Sequence, residues 1–134
     1  MIKKNKSMLL IFVLVLVVCL AILVFYLNKL NNYKEKVANT QITNINFREI
    51  SDGVYIGYYD VDFIYAKVEV TVKEGKIIDI VLLEHKNDKG KEAERIIEDI
   101  KAAQSLNVDA VSGATNSSVV IKKAIENALI NASN

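Results

Sequence analysis

The distribution of apolar positions divides the chain into two regimes. From Met8 to Leu27 (MLLIFVLVLVVCLAILVFYL) there is an unbroken apolar run of 20 residues without charge, Gly or Pro. At 1.5 Å of rise per residue such a helix covers about 30 Å, the thickness of a bilayer's hydrocarbon core, and it satisfies its own backbone groups there. Sixteen of the 20 residues are Leu, Ile, Val or Phe, so the expected insertion free energy is about −5 to −9 kcal/mol. A cleaved signal peptide has an apolar region of about 7 to 15 residues followed by a small-x-small site, whereas this run is longer and ends in Phe25-Tyr26-Leu27-Asn28. Leu16-Val17-Val18-Cys19 offers a bulky Val where a lipoprotein cleavage box needs a small residue, and apolar residues continue past Cys19. The run predicts a membrane anchor in contact with lipid, with Cys19 as a small apolar residue inside it.

After Leu27 the pattern changes. Residues 28–45 (NKLNNYKEKVANTQITNI) are polar with scattered apolar positions and read as a stalk or a continuation of the helix. Asp52-Gly53 marks a turn, and Val54 to Tyr59 is β-prone. Phe63 to Lys73 alternates, with Val68, Val70 and Val72 on one face and Lys67, Glu69, Thr71 and Lys73 on the other, the signature of a half-buried strand. Glu74-Gly75 predicts a tight hairpin into a strand over Ile77 to Leu83. Beyond a polar loop from His85 to Gly90 the period lengthens. Ala93, Ile96, Ile97, Ile100 and Ala103 share one helical face over 91–104, and Val120, Ile121, Ala124, Ile125, Ala128 and Leu129 share another over 117–131. Strands followed by helices predict an α+β domain, an antiparallel sheet of about three or more strands with helices on one face. The expected organisation is a tail (1–7), a transmembrane helix (8–27), a stalk (28–45) and one folded domain (46–134).

Composition narrows the chemistry. The net charge is +1, and the part following the apolar run is slightly acidic, which argues against a nucleic-acid footprint. One Cys and one His exclude an intramolecular disulfide framework and a Cys-based zinc or iron–sulfur site, and the carboxylates show no ligand spacing, so no metal site is expected. With 5 Gly in the chain there is no G-x-G-x-x-G dinucleotide fingerprint. Orientation in the membrane is not set by charge, because Lys3, Lys4 and Lys6 are balanced by Lys29, Lys34 and Lys36.

The candidate chemistry lies between the two helices, in Asp109-Ala110-Val111-Ser112-Gly113-Ala114-Thr115-Asn116-Ser117-Ser118. Gly113 permits close backbone approach, the Ser, Thr and Asn side chains suit a helix N-terminus, and the amides and dipole of that helix suit a phosphate. By these properties alone the segment reads as a well-capped helix start, since small polar residues before an apolar stripe are common. The string Asp109-x-x-Ser112-Gly113-Ala114-Thr115 resembles the flavinylation motif of the FMN-binding domain family, which includes covalent-flavin subunits of ion-pumping NADH:quinone and ferredoxin-linked oxidoreductases. A chance match in a chain of this size is expected about once in a thousand. The resemblance extends over Asp52-Gly53-x-Tyr55-x-Gly57, Val68-x-Val70-x-Val72, Gly75-Lys76-Ile77-x-x-Ile80, Glu84-His85 and Ala124 to Leu129. Asn116-Ser117-Ser118 stands where the family suggests a Thr-Ser pair, and the segment between His85 and Ser105 is compact.

The resemblance implies that a dedicated flavin transferase joins FMN through its phosphate to the hydroxyl of Thr115, with Ser112, Gly113 and Ala114 forming the surrounding motif and Asp109 serving transferase recognition; Ser112 and Ser117 are alternative hydroxyls. It implies an electron carrier, working with a membrane quinone oxidoreductase or other redox subunits, rather than a stand-alone enzyme. A covalent tether prevents loss of cofactor from a small domain outside the cytoplasm, which favours a cytoplasmic N-terminus and an extracytoplasmic C-terminal domain. His85 is a candidate flavin contact or a solvated loop residue, and Tyr55, Tyr58, Tyr59 and Tyr65 are candidate aromatic contacts or ordinary sheet-surface residues. Two other readings stand beside the carrier: a membrane-tethered interaction domain whose loop only caps a helix, which would purify colourless, and a flavin-dependent reductase, which would turn over a small soluble acceptor unaided.

Overall fold

The computed structural model describes residues 2–87 and 90–132. The chain forms two compact units, Met1–Glu35 and Lys36–Asn134. The first is made by helix α1 (Ile2–Asn39), whose segment Asn5–Asn39 is long and apolar enough to be a candidate membrane span. Side chains that would be costly in water project from it, Leu10 with 70% exposure and Phe25 with 71%. The helix runs past the apolar stretch to Asn39, so the first part of the expected stalk is helical. The Thr40 hydroxyl donates to the Lys36 carbonyl at its end.

In the second unit, strands β1 (Gly53–Asp60), β2 (Tyr65–Lys73) and β3 (Lys76–Lys86) form an antiparallel meander in the order β1-β2-β3. Glu74 and Gly75 close the β2–β3 hairpin with positive φ values of 51° and 70°, the pair of left-handed residues that a two-residue hairpin turn requires. The valines of β2 behave as their alternation predicts: Val68, Val70 and Val72 are buried, with Ile77 and Ile80 of β3 beside them. The opposite face carries Val54, Ile56 and Val81, which stay exposed.

β3 is longer than its apolar run. Its pairing with β2 shifts twice, which leaves Ile78 and Leu83 as extra residues between paired positions. Each insertion reverses which residues face inward. The second one turns Glu84 outward opposite Lys67 and His85 inward opposite the fully buried Ala66. His85 therefore belongs to the sheet and not to a solvated loop.

The helix expected over 91–104 is a 3-10 turn (Lys91–Arg95) leading into α2 (Ile96–Ala103), which buries Ile96, Ile97 and Ile100. Gln104 ends it in the left-handed conformation. Its side-chain amide bonds both the N–H and the C=O of Ile77, at 2.9 and 2.8 Å, which ties α2 to β3 next to the first insertion. Helix α3 (Thr115–Ala132) lies on the valine face of the sheet and buries Val120, Ile121, Ala124, Ile125, Ala128 and Leu129. It comes closest at Gly57, where a Cβ would stand 1.9 Å from the Ala124 carbonyl oxygen and 2.5 Å from the Ala128 nitrogen. These are backbone atoms of a helix and cannot step aside. Gly57→Ala is therefore expected to destabilise the domain by about 1–3 kcal/mol, read as a lower urea midpoint for the detergent-solubilised protein; an unchanged midpoint would contradict this packing.

Candidate functional site

Residues 109–115 lead directly into α3, and the local backbone explains why. The Ala114 amide donates to the Val111 carbonyl at 2.9 Å, closing a four-residue turn with Ser112 and Gly113 at its centre. Gly113 has φ +78°, the value that the third position of a type II turn requires and that L side chains resist. Nothing lies within 4 Å of where its Cβ would be. The glycine is thus demanded by backbone conformation, and the space above it is open. Ser112, Gly113 and Thr115 are exposed, while Val111 and Ala114 are buried on either side of the turn.

α3 begins at Thr115, two residues earlier than the hydrophobic period suggests. The attachment candidate is consequently the first residue of the helix, with its hydroxyl-bearing side chain in solvent. The Thr115 and Ser117 amides belong to the first turn, where no intrahelical acceptor exists, and the positive end of the helix dipole lies there.

Two α3 residues one turn apart hold the motif. The Ser118 hydroxyl, fully buried, accepts from the Val111 amide at 2.9 Å and donates to the Ala114 carbonyl at 2.8 Å, and the Ser118 amide donates to that same carbonyl at 3.0 Å. Four residues on, and so on the same helical face, the Lys122 ammonium donates to the Val108 carbonyl. Burial pushes the Lys122 pKa down, and the nearby Asp109 carboxylate pushes it back up. Asp109 itself is exposed. Ser118 and Lys122 are site residues that sequence reasoning missed as such. Ser118 was legible only as one of several candidate helix-cap side chains, and Lys122 only as part of a solvated helix face.

A second polar group lies beside the first turn of α3. Ser117 is 2% exposed, and its hydroxyl has no hydrogen-bond partner among the described residues. Gly90 rests on it, since a Cβ there would sit 1.9 Å from the Ser117 oxygen. His85, with a side chain 3% exposed, approaches the Glu94 carboxylate through Nδ1 at 3.0 Å, while its Nε2 has no partner among the described residues. Asn87 connects the two, with its amide nitrogen 3.4 Å from His85 Nδ1 and its Cβ 3.5 Å from where a Cβ on Gly90 would stand. An open glycine turn and first-turn amides, with buried polar atoms that have no partner among the described residues, suit a phosphate at this end of α3.

The tyrosines do not converge here. Tyr58 and Tyr65 pair on the sheet face turned away from α3, with ring centroids 5.8 Å apart, and their hydroxyls donate to Asp60 and Glu84. Those hydrogen bonds raise both phenol pKa values. Tyr55 donates to the Ser51 carbonyl, and Tyr59 bonds Thr40.

This geometry separates stability from chemistry. Ser118→Ala leaves the buried Val111 amide without an acceptor and is expected to cost about 1–3 kcal/mol, with faster hydrogen exchange at the Val111 amide. Thr115→Ala removes only an exposed side chain and is expected to stay within about 0.5 kcal/mol of wild type. Equal losses in urea unfolding would contradict the assignment of Ser118 as the structural hydroxyl.

Comparison with known proteins addresses the whole domain. No curated protein and no solved structure gives a significant match. A family model described as the FMN-binding domain matches residues 64–130, a range that takes in β2, β3, α2, the Ser112-Gly113 turn and nearly all of α3. With half the chain matched and the glycine turn standing at the opening of α3, the protein belongs to the FMN-binding domain family.

Proposed function

We propose that this flavin-binding protein is a membrane-anchored electron-transfer component that carries FMN through a phosphoester to Thr115, with its domain outside the cytoplasm. The observation that carries the reading is the position of Thr115, exposed at the first residue of α3 and directly after a glycine turn with open space above it. A transferase needs a hydroxyl it can reach, on a backbone that does not move, and the bonds from Ser118 and Lys122 supply that rigidity. Asp109, exposed at the far end of the same segment, is suited to recognition by the transferase. Ser112 is also exposed but sits at the tip of the turn, away from the helix amides that favour a phosphate.

FMN supplies one- and two-electron chemistry when bound. The protein's part is to fix the attachment point, exclude a side chain at Gly113 and place the single negative charge of a phosphodiester at a helix N-terminus. That placement is worth about 0.3–1 kcal/mol at an exposed site. Covalent attachment then prevents dissociation, a benefit that is greatest where free FMN is scarce, and this argues for the extracytoplasmic side. Electron donors and acceptors would be a membrane quinone oxidoreductase or other redox subunits, reached by a domain that α1 holds at the bilayer.

Intact mass after co-expression with a flavin transferase tests the site. Wild type is expected to gain one FMN-phosphoester mass with visible absorption that survives denaturation, Thr115→Ser to retain the gain, and Thr115→Ala to lose it. A gain that persists in Thr115→Ala would move the site to Ser112, since the other expected alternative, Ser117, has its hydroxyl buried. Carbonate washing of cell membranes tests the anchor: the full chain is expected to stay in the pellet, and release into the wash would contradict a spanning α1.

A further inference from the structure

Attachment at Thr115 leaves two buried polar atoms unused, and both lie at the end of the molecule where α3 starts. Ser117 is the third residue of α3, on the buried side of the helix where Thr115 is on the exposed side, and side chains on a helix lean toward its N-terminus, so its hydroxyl tilts toward the first-turn amides. It has no partner among the described residues and is nine-tenths or more buried. His85 is brought to the inner face of β3 by the Leu83 insertion, and Glu94 engages one of its two nitrogens. The other nitrogen, Nε2, is buried and unpartnered among the described residues. Leaving one buried polar group unsatisfied costs about 1–3 kcal/mol. Asn87 lies beside the His85 ring and Gly90 lies against Ser117, so the two orphaned atoms belong to one end of the domain, and such atoms call for a hydrogen-bonding partner.

We propose that His85 and Ser117 form the inner wall of the phosphate site, His85 Nε2–H and the Ser117 hydroxyl both donating to a phosphate oxygen of FMN, directly or through one water, once Thr115 carries it. The inference rests on the reading of Thr115 as the attachment point. Phosphate oxygens and the Glu94 carboxylate both only accept, so the two bonds together require a proton on each ring nitrogen, the imidazolium form of His85 held between two anions. Glu94 thereby fixes the ring's orientation in the same way that a carboxylate fixes a ligating histidine. Gly90 meets Ser117 with backbone alone, so no side chain of that residue stands over the hydroxyl. The wall would hold the phosphate from within, while the first-turn amides hold it from the end of the helix.

The chain contains one histidine, so selective 15N-histidine labelling reports this ring without any mutation. Full-length protein in detergent is compared before and after flavinylation, with intact mass recorded on the same samples. The expected result is a shift of the Nε2 resonance on flavinylation, with Nδ1 moving much less, and a change in the 31P resonance of the phosphoester in His85→Gln relative to wild type at equal flavin content. An Nε2 resonance that stays fixed while the mass shows FMN on the protein would overturn the inference and leave the attachment reading intact; a resident water would then be the partner of both atoms. Absence of any mass gain would remove both.

Discussion

The hydroxyl of Ser118 is the constraint on which the rest of the site depends. One buried oxygen accepts from the amide that opens the Ser112-Gly113 turn and donates to the carbonyl that closes it, so the turn and the first turn of α3 are one hydrogen-bonded unit. That unit is in turn held on the sheet by the contact of Gly57 with the Ala124 and Ala128 backbone, where no side chain separates strand from helix. A reactive hydroxyl on a free loop would lose its geometry to chain entropy, at about 1–2 kcal/mol per residue ordered. Here the ordering is carried by apolar burial along α3 and is already in place at Thr115.

Electrostatics and burial are divided between the two sides of α3's first turn. Thr115 and Ser112 face solvent, where an enzyme can reach them, while Ser117, Ser118 and His85 are turned into the protein. Hydroxyl residues that look interchangeable in a string of Ser, Thr and Asn therefore stand in three separate settings: exposed at Thr115, closing the turn at Ser118, and buried without a partner among the described residues at Ser117. The Lys122 ammonium, half withdrawn from water and near Asp109, secures the other end of the motif.

Much of this was legible in the chain. The valine alternation of β2, the Glu74-Gly75 hairpin, the apolar face of α3 and the antiparallel α+β arrangement follow from period and turn chemistry, and the motif pointed to the FMN-binding domain family. What was not legible depended on events that leave no mark in composition. The strand runs on past Leu83, and the extra residue there reverses its facing relative to Ile80 and Leu82, so His85 becomes a buried partner of Glu94 although its neighbours read as a polar loop. The start of α3 at Thr115 is set by the hydrogen bonds of Ser118, a buried polar contact that hydrophobic periodicity cannot register. Tyr58 and Tyr65 looked like candidates for stacking on a flavin because they are aromatic, but strand parity puts them on the opposite face from α3.

The most direct test of covalent attachment is peptide-level fragmentation of the protein isolated from its native membranes. The expected result is an FMN phosphoester on the peptide containing residues 109–118, with fragment ions placing it on Thr115. Recovery of that peptide with every hydroxyl unmodified, from cells that make the transferase, would contradict it.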